Sequence, residues 1–96
     1  MKQYKVIFSE NALIDIEESV LYYDSQKRGL GKKFATQVQT TLKSIKKNPF
    51  YATVRYGEIR CAVVNIFPFL IHYQIEINTT VVRILAVYNT SRKPLW

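Results

Sequence analysis

Apolar positions recur along this chain with two different periods. Tyr4, Val6 and Phe8 alternate with Lys5 and Ile7, which predicts a first strand. Leu13, Ile16, Val20 and Tyr23 then follow at steps of three, four and three, the stripe of a first helix from Glu10 to about Lys27. Ser9 stands ready as its N-cap, and Glu10 is well placed on the helix dipole. Leu30, Phe34, Val38, Leu42 and Ile45 repeat at four, four, four and three. They predict a second helix that ends at Lys46-Lys47-Asn48, ahead of Pro49. Gly29 and Gly31 lie between the two, and either can close the first helix with a left-handed residue. A connection this short implies an antiparallel helical hairpin.

Beyond Pro49 the period changes to that of strands. Residues 52–56 make a short one, and Gly57-Glu58 is a tight turn into a second, Ile59–Val64. Asn65 to Pro68 forms the next connection. In 70–77, Ile71, Tyr73, Ile75 and Ile77 alternate with His72, Gln74 and Glu76, so one face is polar. Asn78-Thr79-Thr80 turns the chain into 81–88, which is nearly all apolar and predicts a central strand covered on both faces. The order β-α-α-β-β-β-β defines an α+β domain spanning 1–96, with the helical hairpin packed on a mainly antiparallel sheet.

Composition narrows the class. Of the 96 residues, 48% are hydrophobic and 14% aromatic, which excludes a disordered chain. No apolar run reaches the ~18 residues of a membrane span, and the N-terminal run is too short for a signal-peptide core. The single Cys61 has no internal disulfide partner and reads as a small buried strand residue. These features point to the cytoplasm, with no membrane partner. The net charge of +7 suits a polyanionic or acidic partner. Five of the seven acids, Glu10, Asp15, Glu17, Glu18 and Asp24, lie in the first quarter, so the rest of the chain is far more basic.

Candidate chemistry sits on the strands and the tail. Arg60 and His72 fall on neighbouring strands, Arg83 on the last strand, and Arg92, Lys93 and Trp96 after it. If Arg60, His72 and Arg83 share a face, they make a cationic patch able to hold phosphate. Trp96 can then stack on a base or, alternatively, close the core. Arg60 can instead pair across strands with Glu76 or Glu58. Arg83, inside an apolar strand, needs a partner or an opening. One His and one Cys offer no metal-ligand spacing, so neither a metal nor another cofactor is expected. Gly29-Leu30-Gly31 lacks the following Gly or Gly-Lys of a phosphate loop.

The chain resembles the RelE/ParE superfamily of toxins from bacterial type II toxin–antitoxin modules. The resemblance runs through Tyr4-Lys5-Val6-Ile7-Phe8-Ser9, Ala12, Asp15-Ile16, Tyr22-Tyr23, Gly29-Leu30-Gly31, Phe34, and Ile45 before Asn48-Pro49. It continues through Ile59-Arg60, Phe67-Pro68-Phe69-Leu70-Ile71-His72-Tyr73, Ile84-Leu85-Ala86-Val87 and Arg92-Lys93-Pro94-Leu95-Trp96. It implies a small cytoplasmic toxin, in the class of plasmid-stabilising, growth-inhibiting proteins. A cognate antitoxin neutralises such toxins, in a dimer or a toxin–antitoxin hetero-oligomer.

The superfamily divides by target. Relatives resembling RelE and YoeB cleave mRNA in the ribosomal A site without a metal. Those resembling ParE poison DNA gyrase and are not nucleases. Cleavage needs cations to stabilise the phosphorane and a group to move protons. The nuclease branch usually carries an Arg where this chain has Leu70, and a basic residue or His where it has Tyr88-Asn89-Thr90. Leucine cannot stabilise a phosphorane, and Asn89 cannot shuttle a proton near neutral pH. The resemblance therefore favours the ParE-like side, binding its target through Arg60, Arg83, Tyr88, Asn89, Arg92, Lys93 and Trp96. The alternative is a ribosome-dependent endoribonuclease working through Arg60, His72, Arg83 and Arg92. A second alternative is a non-toxic nucleic-acid or protein-binding module on the same fold.

Overall fold

The computed structural model describes residues 3–91, and Arg92, Lys93 and Trp96 lie outside them. The elements run β1 (Lys5–Phe8), α1 (Glu10–Gln26), α2 (Leu30–Lys47), β2 (Val54–Tyr56), β3 (Ile59–Val64), β4 (Phe69–Glu76) and β5 (Val81–Asn89). A single 3₁₀ turn, Ile77–Thr79, joins the last two strands. The five strands form one sheet in the order β1-β5-β4-β3-β2. β1 runs parallel to β5, and every other pair is antiparallel.

Both helices cover the same face of the sheet. α2 buries Gly31, Phe34, Val38, Thr41 and Ile45 at alternating steps of three and four. They meet Ala62, Val64, Phe69, Ile71, Tyr73, Val82 and Ile84 of the strands. At one end of this core the rings of Tyr23, Phe34, Phe67 and Phe69 pack edge-on or tilted, with centroids 4.8–6.1 Å apart. α1 is less committed. Of its seventeen residues only Ala12 is fully buried, while Ile16 and Val20 are half-buried and Leu13 is 51% exposed. The stripe predicted for the first helix is thus only partly covered, and Tyr22 faces solvent while its neighbour Tyr23 packs.

β5 differs from the expectation of a central strand covered on both faces. β4 holds the centre of the sheet, and β5 lies between it and β1. Val82, Ile84 and Val87 are buried under α1 and α2, but Val81, Arg83, Leu85, Ala86 and Tyr88 are only half-buried. The step from Ile84 to Val87 is three residues because His72 pairs with Ala86 and Tyr73 with Ile84. Leu85 is left over as a bulge, which restores the inward face one residue later.

That bulge is where α1 is tied down. The Ser9 N–H donates to the Ile84 carbonyl at 2.9 Å, and its hydroxyl donates to the Leu85 carbonyl at 3.0 Å. The same hydroxyl oxygen accepts the Ala12 N–H at 3.1 Å and so caps the helix as expected. One turn on, the Asp15 carboxylate accepts the Val87 N–H at 3.0 Å. Backbone groups that a bulge leaves without ladder partners thereby gain side-chain ones.

The helix–helix turn divides the work of its two glycines. Gly29 holds φ 87 and precedes α2, whereas α1 ends on an extended Lys27. Gly31 is helical, and its N–H donates to the Asp24 carboxylate at 2.7 Å. A Cβ there would collide with the Val20 carbonyl oxygen and the Asp24 carboxylate, so this glycine sets how closely the helices approach. Gly31→Ala should therefore destabilise the protein by about 2–3 kcal/mol, the scale of overpacking against backbone. Gly29→Asn, a residue that tolerates the left-handed region, should cost under about 1 kcal/mol. Urea denaturation of both variants checks the contrast.

Candidate functional site

The pleat of β4 assigns each candidate residue to a face. Phe69, Ile71 and Tyr73 point to the helices, so Leu70, His72 and Gln74 point away. The register then places Ala62 and Arg60 on the helix side, opposite Ile71 and Tyr73, and Cys61 on the open side, opposite His72. Across β5, Arg83 pairs with Gln74 and Tyr88 with Leu70, so both belong to the open side. Arg60, His72 and Arg83 do not share a face. His72 and Arg83 share the open one, and Arg60 belongs to the other.

Arg60 serves the fold. Its guanidinium donates to the Ala52 carbonyl at 2.7 Å and the Phe50 carbonyl at 3.3 Å, and lies 5.2 Å from the Phe50 ring centroid. Neither Glu58 nor Glu76 is its partner. Glu58 accepts from the Gln74 amide at 3.3 Å, and Glu76 pairs with Arg83. Beside Arg60, the Tyr73 hydroxyl donates to the Pro49 carbonyl at 2.6 Å, and burial above all pushes its pKa up to about 12. Together the two side chains clamp the segment leaving α2 onto the sheet.

Arg83 meets both conditions a charge in an apolar strand requires. Its side chain is 43% exposed on the open face, and Glu76 lies 2.7–2.8 Å away. An ion pair this exposed contributes about 0–1 kcal/mol, so Arg83 is poised to exchange Glu76 for another anion.

His72 is fully buried although it points away from the helices. Its Nδ1 lies 2.9 Å from the Tyr56 hydroxyl and 3.6 Å from the Cys61 sulfur, and the Tyr88 ring is 6.1 Å away. Burial lowers the His72 pKa and raises those of the Tyr56 hydroxyl and the Cys61 thiol. All three are therefore held neutral near pH 7, and Cys61 is the buried strand residue that the sequence suggested. Tyr56 was not among the residues singled out from the sequence. The signal for Cys61 beside His72 was present. A four-residue connection between Val64 and Phe69 sets Cys61 against His72 and Arg60 against Tyr73.

Asn89 faces the helix side, opposite Phe69, and its carboxamide oxygen accepts the Ser91 N–H at 2.8 Å and the Ser91 hydroxyl at 2.6 Å. It shapes the turn after β5 and lines a groove of about 320 Å³ with Asp15, Glu18, Tyr22 and Tyr88. Among the described residues, no three His, Cys, Asp or Glu side chains are grouped to hold a metal ion. No helix among them is long and apolar enough to cross a membrane.

A helical hairpin on one face of a mainly antiparallel five-stranded sheet, with a parallel N-terminal strand, is the architecture of RelE/ParE toxins. The structure superposes on the chromosomal ParDE system of Pseudomonas aeruginosa with a TM-score of 0.79 at 11% identity, over 91% of this chain and 96% of that one. It is similar to the RelBE2 toxin–antitoxin complex of Mycobacterium tuberculosis at TM-score 0.68 and 18% identity, over 92% and 99%. It is also similar to the archaeal RelE–RelB complex of Pyrococcus horikoshii at TM-score 0.64 and 11% identity, over 96% and 100%. No curated protein matches the chain. The family model for the ParE toxin of the type II toxin–antitoxin system parDE matches residues 6–94. This chain belongs to that family.

Two outcomes follow from the site. Arg60→Met should cost about 2–3 kcal/mol, the scale of a lost charge-assisted bond to a buried carbonyl, with a matching drop in melting temperature. A variant as stable as wild type but without activity would move Arg60 to the target interface. The second outcome concerns acid. The unfolded state takes up a proton on His72 near pH 6.5, while the folded state resists it because its pKa is depressed. Stability therefore falls as pH drops below about 6.5, down to the lower folded pKa. His72→Gln should flatten this slope between pH 7 and 5 in urea denaturation, whatever its effect on the plateau.

Proposed function

We propose that this chain is a growth-inhibiting toxin that binds DNA gyrase, as the ParE-like side of the superfamily does, and that it is neutralised by a cognate antitoxin. The observation that carries this reading is the division of the cations between two faces. Arg60 is turned under the helices and bound to two carbonyls, Arg83 is paired with Glu76, and His72 is buried and neutral. These groups do not converge on one phosphate, as metal-independent RNA cleavage demands. A binding toxin needs no such convergence, only a surface complementary to its target.

The antitoxin reading has separate support. Leu13, Leu21 and Tyr22 of α1 are 51–68% exposed, and Leu13, Ile16, Val20 and Leu21 line a shallow apolar depression on that helix. An amphipathic partner segment would cover this surface and place acids against the lysines of α2. Assembly with an antitoxin, as in the RelBE2 and RelE–RelB complexes, fits that exposure.

The test is to induce the gene with and without its genetic neighbour, map transcript ends within minutes, and assay DNA supercoiling by gyrase with purified protein. Growth arrest with intact transcripts and inhibited supercoiling is the expected result, relieved by the neighbour. Fresh cuts inside translated codons would replace this reading with the endoribonuclease. No arrest would leave a binding module on the same fold.

A further inference from the structure

Eight Lys and Arg lie between Asp24 and Glu58 with no Asp or Glu among them. Five of the eight are on α2. At about 3.6 residues per turn, Lys32, Lys33, Thr36, Thr40, Lys43 and Lys47 fall in one sector of roughly 100° around that helix. The sector faces away from Phe34, Val38, Thr41 and Ile45, and all six residues in it are exposed. Among the described residues Arg83 pairs with Glu76, and none of these lysines joins an ion pair.

The side chains between the lysines are short and fold back on the helix. Thr36, Thr40 and Ser44 donate to carbonyls one turn earlier, at 3.0, 3.0 and 3.4 Å. No bulky group therefore stands along the row. With ~1.5 Å of rise per residue, it is ~22 Å long from Lys32 to Lys47. Beside it a groove of about 390 Å³ separates Thr40 and Ser44 from Thr53, Arg55 and Asn65. Arg55 is exposed there and adds a fifth cation to the four of the row.

We infer that this face of α2, continued by Arg55, binds the phosphate backbone of duplex DNA. Chemistry selects the occupant. The sector has no apolar side chain, so it offers neither a face to insert into a membrane nor the aromatic centre of a protein interface. Lysines with hydroxyls between them are groups that meet phosphates, and such contacts carry no sequence preference. A straight row ~22 Å long faces several of them, since each DNA strand presents one per ~3.4 Å. The choice of DNA over RNA rests on the gyrase reading above: the toxin touches the duplex that its target holds. Acids of a bound antitoxin would occupy the same lysines, so neutralisation would also release this contact.

The test is fluorescence anisotropy of a labelled duplex of mixed sequence, with the purified full-length chain at several salt concentrations. The logarithm of the binding constant should fall against that of salt with a slope of about −4 to −5, as five cations on phosphates require. Lys43→Gln combined with Lys47→Gln, both exposed changes, should weaken binding about tenfold or more and make the slope shallower by about 2. Lys5→Gln, on β1 at the other edge of the sheet from β2, should change affinity less than about twofold. A wild-type slope near zero, a double variant that binds like wild type, or an equal loss in Lys5→Gln overturns the inference. So does tighter binding to a hairpin RNA than to the duplex. Inhibition of supercoiling that persists alongside any of these results leaves the gyrase reading standing. Duplex binding lost in the double variant, with supercoiling untouched by the wild-type chain, keeps the DNA surface and removes the gyrase reading.

Discussion

The pleat of β4 governs this molecule because the helices cover only one side of the sheet. Phe69, Ile71 and Tyr73 turn inward and meet α2, while Leu70, His72 and Gln74 turn out. With a period of two, each partner strand inherits the same division through its register. Arg60 thereby falls among buried groups and spends its donors on the carbonyls of Phe50 and Ala52. His72, one residue out of phase on β4, joins Tyr56 and Cys61 on the far side. A shift of one residue in the β3–β4 pairing would leave His72 in place, turn Arg60 out beside it and bring Cys61 to the helix side.

The second constraint is the fastening of the N-terminal unit to β5. β1 enters the sheet parallel to β5, so the chain must turn back immediately to lay α1 over the sheet. The bulge at Leu85 provides the anchor. It leaves backbone groups that Ser9 and Asp15 bond, and those two residues belong to the cap and first turns of α1. Two acids of the acidic first quarter are thus structural, since Asp24 likewise holds the Gly31 N–H at the start of α2. The apolar side chains of α1 that the sheet does not reach, Leu13 and Leu21 among them, stay exposed.

Surface chemistry follows from the same asymmetry. Cations on α2 and at the β3 edge face solvent, and Arg83 on the open face pairs with the half-buried Glu76 carboxylate. Buried polar groups, by contrast, are neutral. Burial depresses the His72 pKa and raises those of Tyr56 and Cys61, so this cluster packs instead of exchanging protons near pH 7.

Local pattern alone determined the element order, the helical hairpin, the Ser9 cap, the boundaries of α2 and the predominantly antiparallel sheet. Each depends on neighbours within a few positions, through helical periodicity, capping and turn chemistry. The family resemblance rested on the same ordered elements. Three matters were decided only by tertiary structure. The strand order put β4, not β5, at the centre, because β1 takes the other side of β5 as a parallel neighbour. The bulge at Leu85 changed which β5 residues face the core, and nothing local distinguishes Leu85 from the apolar residues around it. The separation of Arg60 from His72 came from the β3–β4 register. That register was countable from the four-residue connection, but its meaning depended on which face the helices cover, a choice made by burial across the whole chain.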